Sequence, residues 1–344
     1  MRNKIKRYLR YSIFFVFALL FSFMVVEGAI RVLFPKYDPS NHLTFPEIAD
    51  GTPQPRTIGF QKRQIKNTGD YDVEVSINKY GLRESKELSG SDANSIFAVG
   101  ESFTFGWGVE EKDRFSNVVE TLLGRQVFNI VTPTSIRYYG KQLEYAERNG
   151  AKITTVIVGF FMDSDLYDYE HELYAHDGAL HTTTTRLFLD GVRALLKDNS
   201  ALYFVITSWI HASPALQEYA VALGLISPDG AKFDSTLLIK NGTIESAADE
   251  LSRLVQNKKS VVLIIPSRAL WLGNVASRKQ ALSIHMAFLD NLEKRHLNYV
   301  DMRLHFEELG KPLQYHFPYD AHWNVAGHLL AGKKLAENIK QHAY

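Results

Sequence analysis

Residues 96–109 read IFAVGESFTFGWGV, a short apolar run that stops at a glycine and is followed by Glu101, a serine and two further glycines. An uninterrupted apolar run bounded by Gly100 suits a strand buried on both faces. Gly100, Gly106 and Gly108 permit a tight turn and close backbone approach, which would set the hydroxyl of Ser102 at the strand's carboxyl end. Outward from this stretch the pattern recurs in QVFNIV (126–131), TTVIVGFF (154–161), VVLIIP (261–266) and YVDM (299–302). The stretches around 113–124, 139–149, 244–257 and 277–295 space their apolar residues three or four apart, as Leu251, Leu254 and Val255 do, and predict helices. Strands alternating with helices in this way predict an α/β fold whose parallel sheet is covered on both faces. Ligands in such folds sit beyond the carboxyl ends of the strands, so the chemistry lies in the residues just after each strand.

A serine in that position needs a base, and the base needs an orienting partner. Residues 317–328, FPYDAHWNVAGH, supply both residue types just before a predicted terminal helix. Asp320 and His322 are two apart, so an extended segment would point both side chains the same way. Asp320 could then hold the imidazole of His322 in the tautomer that leaves its other nitrogen for Ser102. Each element has a plainer reading: a Gly-flanked serine is a common turn, and an Asp-x-His pair is a common helix cap or surface pair. Their occurrence at opposite ends of one α/β pattern nominates Ser102, Asp320 and His322 as a catalytic triad.

GESFTFGWG (100–108) resembles the first block of the SGNH, or GDSL-like, hydrolases, commonly written G-D-S-F-T-x-G, with Glu101 in place of the usual Asp. DAHWNVAGH (320–328) resembles the last block of that family. Its Asp-x-His spacing is similar to that of membrane-associated members, proteins of polysaccharide acetylation among them, rather than to the Asp-x-x-His of many lipases. INKYGLRE (77–84) resembles the N-x-x-G-x-R lead-in found upstream of the serine in anchored relatives. The resemblance spans about residues 70–341 and implies a three-layer α/β/α flavodoxin-like fold, esterase or acyl-transfer chemistry, and neither a metal nor an organic cofactor. It also implies an oxyanion hole made by the backbone N–H of Ser102, a Gly of the second block and an Asn of the third. Here the chain reads NIVTPTSIRYYGKQ (129–142) and MDSDLYD (162–168), which puts Thr134 at the Gly position and Ser164 at the Asn position. Loss of one such donor typically costs about 10² to 10³ in rate, so these departures bear directly on activity.

Other side chains are weaker candidates. Arg137 lies close in sequence to Thr134 and would suit an anionic substrate; the plainer reading is a solvated loop residue. Trp107 and Trp323 lie near Ser102 and His322 in sequence and could stack on a sugar ring, with ordinary packing as the alternative. His171, His176 and His181 are spaced five apart, which matches neither a helix face nor a strand face, so no metal site is expected. Asn241-Gly242-Thr243 matches a glycosylation sequon, relevant only in a eukaryotic secretory pathway.

With 39 basic and 38 acidic residues in 344, the net charge of +1 supplies no field that would gather nucleic acid. The absence of cysteine excludes disulfides, thiolate metal sites and a cysteine nucleophile. Arg2, Lys4, Lys6, Arg7 and Arg10 precede an uncharged apolar run that begins at Tyr11 and continues to Phe34, broken only by Glu27 and Arg31. These two are four apart, where they can pair on one helix face. A span over residues 11–34 is long enough for a bilayer core of about 30 Å. The basic residues 1–10 would stay cytoplasmic and everything after Pro35 would lie outside. A cleaved signal peptide and a buried soluble helix are the competing readings, although a clear A-x-A-like cleavage site is missing.

Residues 35–69, punctuated by Pro35, Pro39, Pro46, Pro53 and Pro55, predict an irregular stalk leading into a hydrolase-like domain over 70–344. YDVEVSI (71–77) alternates as a half-buried strand does. An insertion at about 166–258 would interrupt the domain, with a helix-like stretch around 186–197 and the apolar segment LYFVITSWI (202–210) packed beside or over the site. That segment is too short for a second span. The whole predicts an extracytoplasmic serine esterase or acyltransferase, periplasmic or at the cell surface, single-pass in the cytoplasmic membrane. Its substrate would carry acyl groups, acetyl among them, on a glycan or envelope polymer, with lipid or small esters left open. The alternative from another class is a non-catalytic protein that keeps the fold to bind glycan or to scaffold an envelope assembly.

Overall fold

The structure, a computed structural model, describes residues 2–43, 59–132, 134–174, 195–196, 198–222, 239 and 242–344. It opens with helix α1 (Arg2–Leu33), then strands β1 (Phe60–Ile65), β2 (Asp72–Ile77) and β3 (Ile96–Val99). Helices α2 (Ser102–Phe105) and α3 (Phe115–Leu123), strand β4 (Val127–Asn129), helix α4 (Tyr139–Arg148), strand β5 (Thr155–Phe161) and helix α5 (Ser164–Tyr174) come next. After these stand helices α6 (Ala201–Ala212), α7 (Pro214–Ala222) and α8 (Thr243–Leu254), then strand β6 (Lys259–Ile265) and helix α9 (Val275–Lys294). The chain finishes with strand β7 (Tyr299–Asp301) and helices α10 (Met302–Glu307) and α11 (Val325–Gln341).

The described residues group into two compact units, one holding 2–43, 65–69 and the described residues between 195 and 222, the other the rest. In the second unit, five parallel strands lie in the order β4-β3-β5-β6-β7. Counted within this sheet, the order is the flavodoxin-like 2-1-3-4-5, with its reversal beside β3. Alternate strand residues feed two cores, as the two-residue period of a strand requires. Phe97, Val99, Phe128, Val158 and Ile264 pack in one core with α4, α5, α8 and α9. Ile96, Ala98, Val127, Ile157 and Leu263 pack in the other with α3, α10 and α11. The result is a three-layer α/β/α arrangement, and each of the five expected sheet strands is present.

Two local expectations need correction. β1 lies inside the stretch read as irregular and forms a two-stranded sheet with β2. Its sequence, FQKRQI, hides it, because polar and charged residues fill both faces. The segment around Asp320 is not extended either: residues 318–322 form consecutive bends. Of the helix-like stretch at 186–197, residues 186–194 and 197 lie outside the described residues.

In the first unit, Glu27 and Arg31 pair at 2.8 Å near the end of α1. The Glu27 carboxylate also accepts from Ser200 Oγ and from the backbone N–H groups of Ala201 and Leu202, which caps α6. The apolar segment 202–210 is therefore a helix held within this unit by α1. Over Arg10–Leu33, α1 is long and apolar enough to cross a membrane.

One glycine fixes how the chain leaves β3. Gly100 has φ +154°, and a Cβ there would meet Thr104 Oγ1 at 2.2 Å and the Gly159 carbonyl oxygen at 2.8 Å. Thr104 is buried and β-branched, so it has little room to yield. Gly100→Ala is expected to lower stability by about 1–3 kcal/mol through overpacking. An unchanged thermal midpoint for the variant would show that the turn relaxes freely.

Candidate active site

The site is built on the turn after β3, and an upstream motif holds that turn. Asn78 Oδ1 accepts from the N–H groups of Tyr80 and Leu82, and Gly81 takes φ +74°, which closes a tight loop ahead of Arg83. The guanidinium of Arg83 is buried and donates to the carbonyls of Gly106 and Val109 at 2.7 Å each, and to those of Glu74 and Phe105. Three of these carbonyls belong to the loop carrying Ser102. The N-x-x-G-x-R motif thus has a positioning role that spacing alone did not reveal. Burial and the neighbouring charge of Arg114 push the Arg83 guanidinium down to about 9.

Ser102 opens α2, and His322 and Asp320 arrive on the loop that precedes α11. His322 Nε2 lies 2.7 Å from Ser102 Oγ, and His322 Nδ1 donates to Asp320 Oδ1. The same Oδ1 accepts from the His322 backbone N–H at 3.1 Å. The two side chains therefore meet through a bend in which Asp320 grips both main chain and ring of His322. Arg268, on the loop after β6, donates to the Asp320 carbonyl at 3.0 Å and ties that loop to the bend. The imidazole packs against Phe103, with centroids 4.8 Å apart, and stacks on Trp107 at 5.5 Å and 24°. His316 and His328 flank the same segment but are buried, and burial pushes both down to about 3, so they stay neutral. His322 is thus the histidine of this segment that reaches the serine.

Two contributors were not singled out in the sequence. Tyr71 precedes β2 and donates its hydroxyl to Asp320 Oδ2 at 3.2 Å, while accepting from Trp107 Nε1 at 2.7 Å. Burial and the Asp320 charge raise the Tyr71 phenol well above its ordinary value, so it serves as a neutral donor. The second is Glu101, noted only as a departure from Asp. Its Oε1 caps α2 through the Phe103 N–H, and its Oε2 lies 2.6 Å from Ser102 Oγ. The serine hydroxyl therefore faces two acceptors with one proton. Both contacts can be hydrogen bonds only if the group holds an additional proton, on His322 or on Glu101.

Buried carboxyls continue past the serine. Asp165 Oδ1 accepts from Tyr139 Oη at 2.7 Å, and Oδ2 accepts from the Phe161 N–H at 2.8 Å. Burial, with Glu101 nearby, raises Asp165 well above the ordinary carboxyl range. Asp163 is pushed up to about 6 by burial and by the charge of Glu101, against a hydrogen bond from Ser267. Asp163 Oδ2 and Ser164 Oγ are both buried without a hydrogen-bond partner.

The remaining sequence candidates divide. Thr134 is half-buried beyond the carboxyl end of β4, and Ser164 starts α5 beyond that of β5. Arg137 is exposed in a short helical turn, Ile136–Tyr138, and its charge reaches Tyr169 of α5. Trp107 holds Tyr71 and covers the imidazole, so one of its ring faces is already occupied. Trp323 is a correction: it is completely buried against Phe103, Phe306 and His328, and so it cannot stack on a substrate. Its neighbour His322 turns toward the site while Trp323 turns into the core. Of the spaced histidines, 176 and 181 lie outside the described residues. Among the described residues no cluster of His, Cys, Asp and Glu could hold a metal.

No family model matches the chain, and neither does any curated protein. Among solved structures, the chain is similar to a lipase/acylhydrolase from Enterococcus faecalis at 10% identity and a TM-score of 0.41, over 72% of this chain and 96% of that one. It is also similar to a carbohydrate acetylesterase from Sinorhizobium meliloti at 9% identity and a TM-score of 0.38, over 72% and 99% of the two chains. A third similarity is to a carbohydrate esterase family 2 enzyme with a carbohydrate-binding domain from Corynascus thermopiles, at 10% identity and a TM-score of 0.38, over 74% of this chain and 68% of that one.

The raised Asp163 carboxyl makes a stability prediction. The folded chain holds this proton more tightly than the unfolded chain, so stability falls as pH rises from about 4 through about 6 and stays lower above. A shift of about two units corresponds to roughly 3 kcal/mol. Asp163→Asn, which carries no charge at any pH, is expected to be more stable than the parent at pH 8 and little different at pH 4. Parallel thermal melts at the two pH values check this, and equal differences at both would refute it.

Proposed function

We propose that this chain is a serine esterase or acyltransferase in which Ser102 is the nucleophile, His322 the general base and acid, and Asp320 the residue that orients and charges the imidazole. The observation that carries this reading is the hydrogen-bonded sequence from Ser102 Oγ through His322 to Asp320, set at the carboxyl end of β3 beside the reversal of strand order. Ser102 Oγ attacks the ester carbonyl and its proton passes to His322 Nε2. The tetrahedral intermediate collapses, and the leaving alcohol takes that proton. Water or a sugar hydroxyl then attacks the acyl-serine, with His322 as base, and Ser102 leaves with its proton restored. The developing oxyanion would be met by the Ser102 backbone N–H, with Thr134 and Ser164 as further donors. The unpartnered hydroxyl of Ser164 supports its inclusion.

The substrate in this reading is an acylated glycan or envelope polymer outside the cytoplasmic membrane, with acetyl as the favoured acyl group. It rests on the resemblance of the DAHWNVAGH block to membrane-associated polysaccharide-acetylation proteins, together with the span-length α1 and its basic start. The exposed Arg137 is a candidate contact for an anionic polymer.

Hydrolysis of p-nitrophenyl acetate by the full chain in detergent micelles tests the chemistry. Ser102→Ala is expected to lose at least about 10³ in rate and Asp320→Asn a similar or smaller factor. Equal rates for the parent and Ser102→Ala would remove the serine mechanism on this ester and favour a glycan-binding role. Glu101 makes a separate prediction. Its carboxylate accepts at 2.6 Å from the hydroxyl whose proton His322 Nε2 must take. Glu101→Gln removes the negative charge and offers an N–H to Ser102 Oγ. The variant is expected to hydrolyse p-nitrophenyl acetate faster than the parent, and an unchanged rate would mean that Glu101 does not compete for the serine proton.

A further inference from the structure

We infer that α6 and α7 form a second membrane contact, lying in the outer lipid interface of the bilayer that α1 crosses. The inference rests on the proposed span of α1 and adds a lipid-facing surface to it. Over its length α6, ALYFVITSWIHA, carries no acidic or basic side chain other than His211, and α7, PALQEYAVA, carries only Glu218. One face of α6 is used within the unit: Ala201, Phe204 and Thr207 are buried, and Phe204 packs against Tyr37 and His42. The opposite face is left open. Ile206 and Trp209 are three apart on it, and Trp209 is 68% exposed. On α7 the same spacing recurs in Leu216 and Tyr219, and Tyr219 is 70% exposed. Isolated apolar residues on a surface need no explanation, but paired aliphatic and aromatic residues along two consecutive, nearly uncharged helices do.

The placement of these helices identifies the occupant as lipid. The amino end of α6 is bound to the last turns of α1 by Glu27, and Arg31 joins Glu27 to Asp38 at 2.6 Å. The two helices therefore start from the end of a helix whose own apolar surface is exposed along its length. At about 1.5 Å per residue, α6 and α7 reach roughly 18 and 14 Å, too short to cross a core of about 30 Å. Helices too short to span that present Trp209 and Tyr219 on an open side suit the headgroup boundary, where Trp and Tyr concentrate. The capping by Glu27 fits this location, since the first N–H groups of α6 would otherwise lack acceptors near lipid.

The chain has no cysteine, so a single introduced cysteine takes a nitroxide label uniquely. Ile206→Cys, Trp209→Cys, Leu216→Cys and Tyr219→Cys are made in the full chain. Phe17→Cys in α1 and Glu308→Cys on α10's exposed end serve as references. Each is reconstituted in phosphatidylethanolamine–phosphatidylglycerol vesicles, and collision rates with oxygen and with a water-soluble nickel chelate are compared. The four test sites are expected to show an oxygen-to-nickel ratio at least about threefold above that of Glu308→Cys, approaching the ratio for Phe17→Cys. Test sites that match Glu308→Cys while Phe17→Cys is oxygen-rich would overturn the inference and leave the α1 span intact. A water-like Phe17→Cys would remove the span and the inference together. Strong spin–spin broadening at the test sites, independent of lipid dilution, would assign the face to a second copy of the chain and also overturn it.

Discussion

A buried cation satisfied by main-chain carbonyls governs the architecture of the site. Arg83 lies out of solvent, and its two terminal nitrogens donate to the carbonyls of residues 74, 105, 106 and 109, while Nε is left without a partner. Burying a charge costs several kcal/mol unless hydrogen bonds offset it, and these four carbonyls supply most of that offset by converging on the guanidinium. The converging loop is the one that starts at Ser102. Arg114 repeats the device one step away, donating to the Arg83 carbonyl at 2.6 Å. Because the loop carrying Ser102 satisfies a buried charge, its geometry is coupled to the stability of the domain rather than left to a surface turn.

The sheet was readable because its strands are nearly all apolar, and a run such as VVLII admits few other structures. β1 was not readable, because FQKRQI has no apolar face: it is kept in place by pairing with β2 and by Gln64, whose side chain accepts from the Gly108 N–H at 2.8 Å. Ser102, His322 and Asp320 were legible as residue types at the ends of elements, but the route by which Asp320 meets His322 was not. A bend, rather than an extended segment, brings the carboxylate back onto its own chain, and sequence spacing cannot distinguish the two. Trp107 and Trp323 illustrate the same limit. Both stand next to the site in sequence, yet one closes over the imidazole and the other fills the core between Phe103 and Phe306. Tyr71 left no signal, since its partner Asp320 is 249 residues away.

The charge balance around the serine is lopsided in an informative way. Asp320 faces the far side of the imidazole, where Tyr71 and the His322 N–H keep it supplied with donors. Glu101 faces the hydroxyl itself, and Asp163 and Asp165 feel its charge from the β5 side. Asp165 has each oxygen committed, one to Tyr139 and one to the Phe161 N–H, which marks it as a brace between α4 and the start of α5. Asp163 keeps one buried oxygen without a partner, beside the equally unpartnered hydroxyl of Ser164. Each orphan polar atom in a buried place costs about 1–3 kcal/mol, and such costs gather where a ligand or a reacting group completes the hydrogen bonding.

That imbalance also separates the two carboxylates that touch the proton chain. Asp320 stabilises an imidazolium whenever one forms, and does so without competing for the serine proton, because its contact is with Nδ1. Glu101 cannot favour catalysis by the same route, since an acceptor 2.6 Å from Oγ draws the hydroxyl away from Nε2. A carboxylate one methylene shorter would reach less far from the same backbone position. The replacement of the expected Asp by Glu is therefore a change in proton placement, not only in size. Its consequence would show in the proposed acylation: as Ser102 Oγ bonds to carbon the hydroxyl proton has to leave, and His322 Nε2 can take it only when unprotonated. In the proposed reaction the contact between Glu101 and the serine hydroxyl would have to be given up, and the binding interactions that break it would then help to determine which esters react.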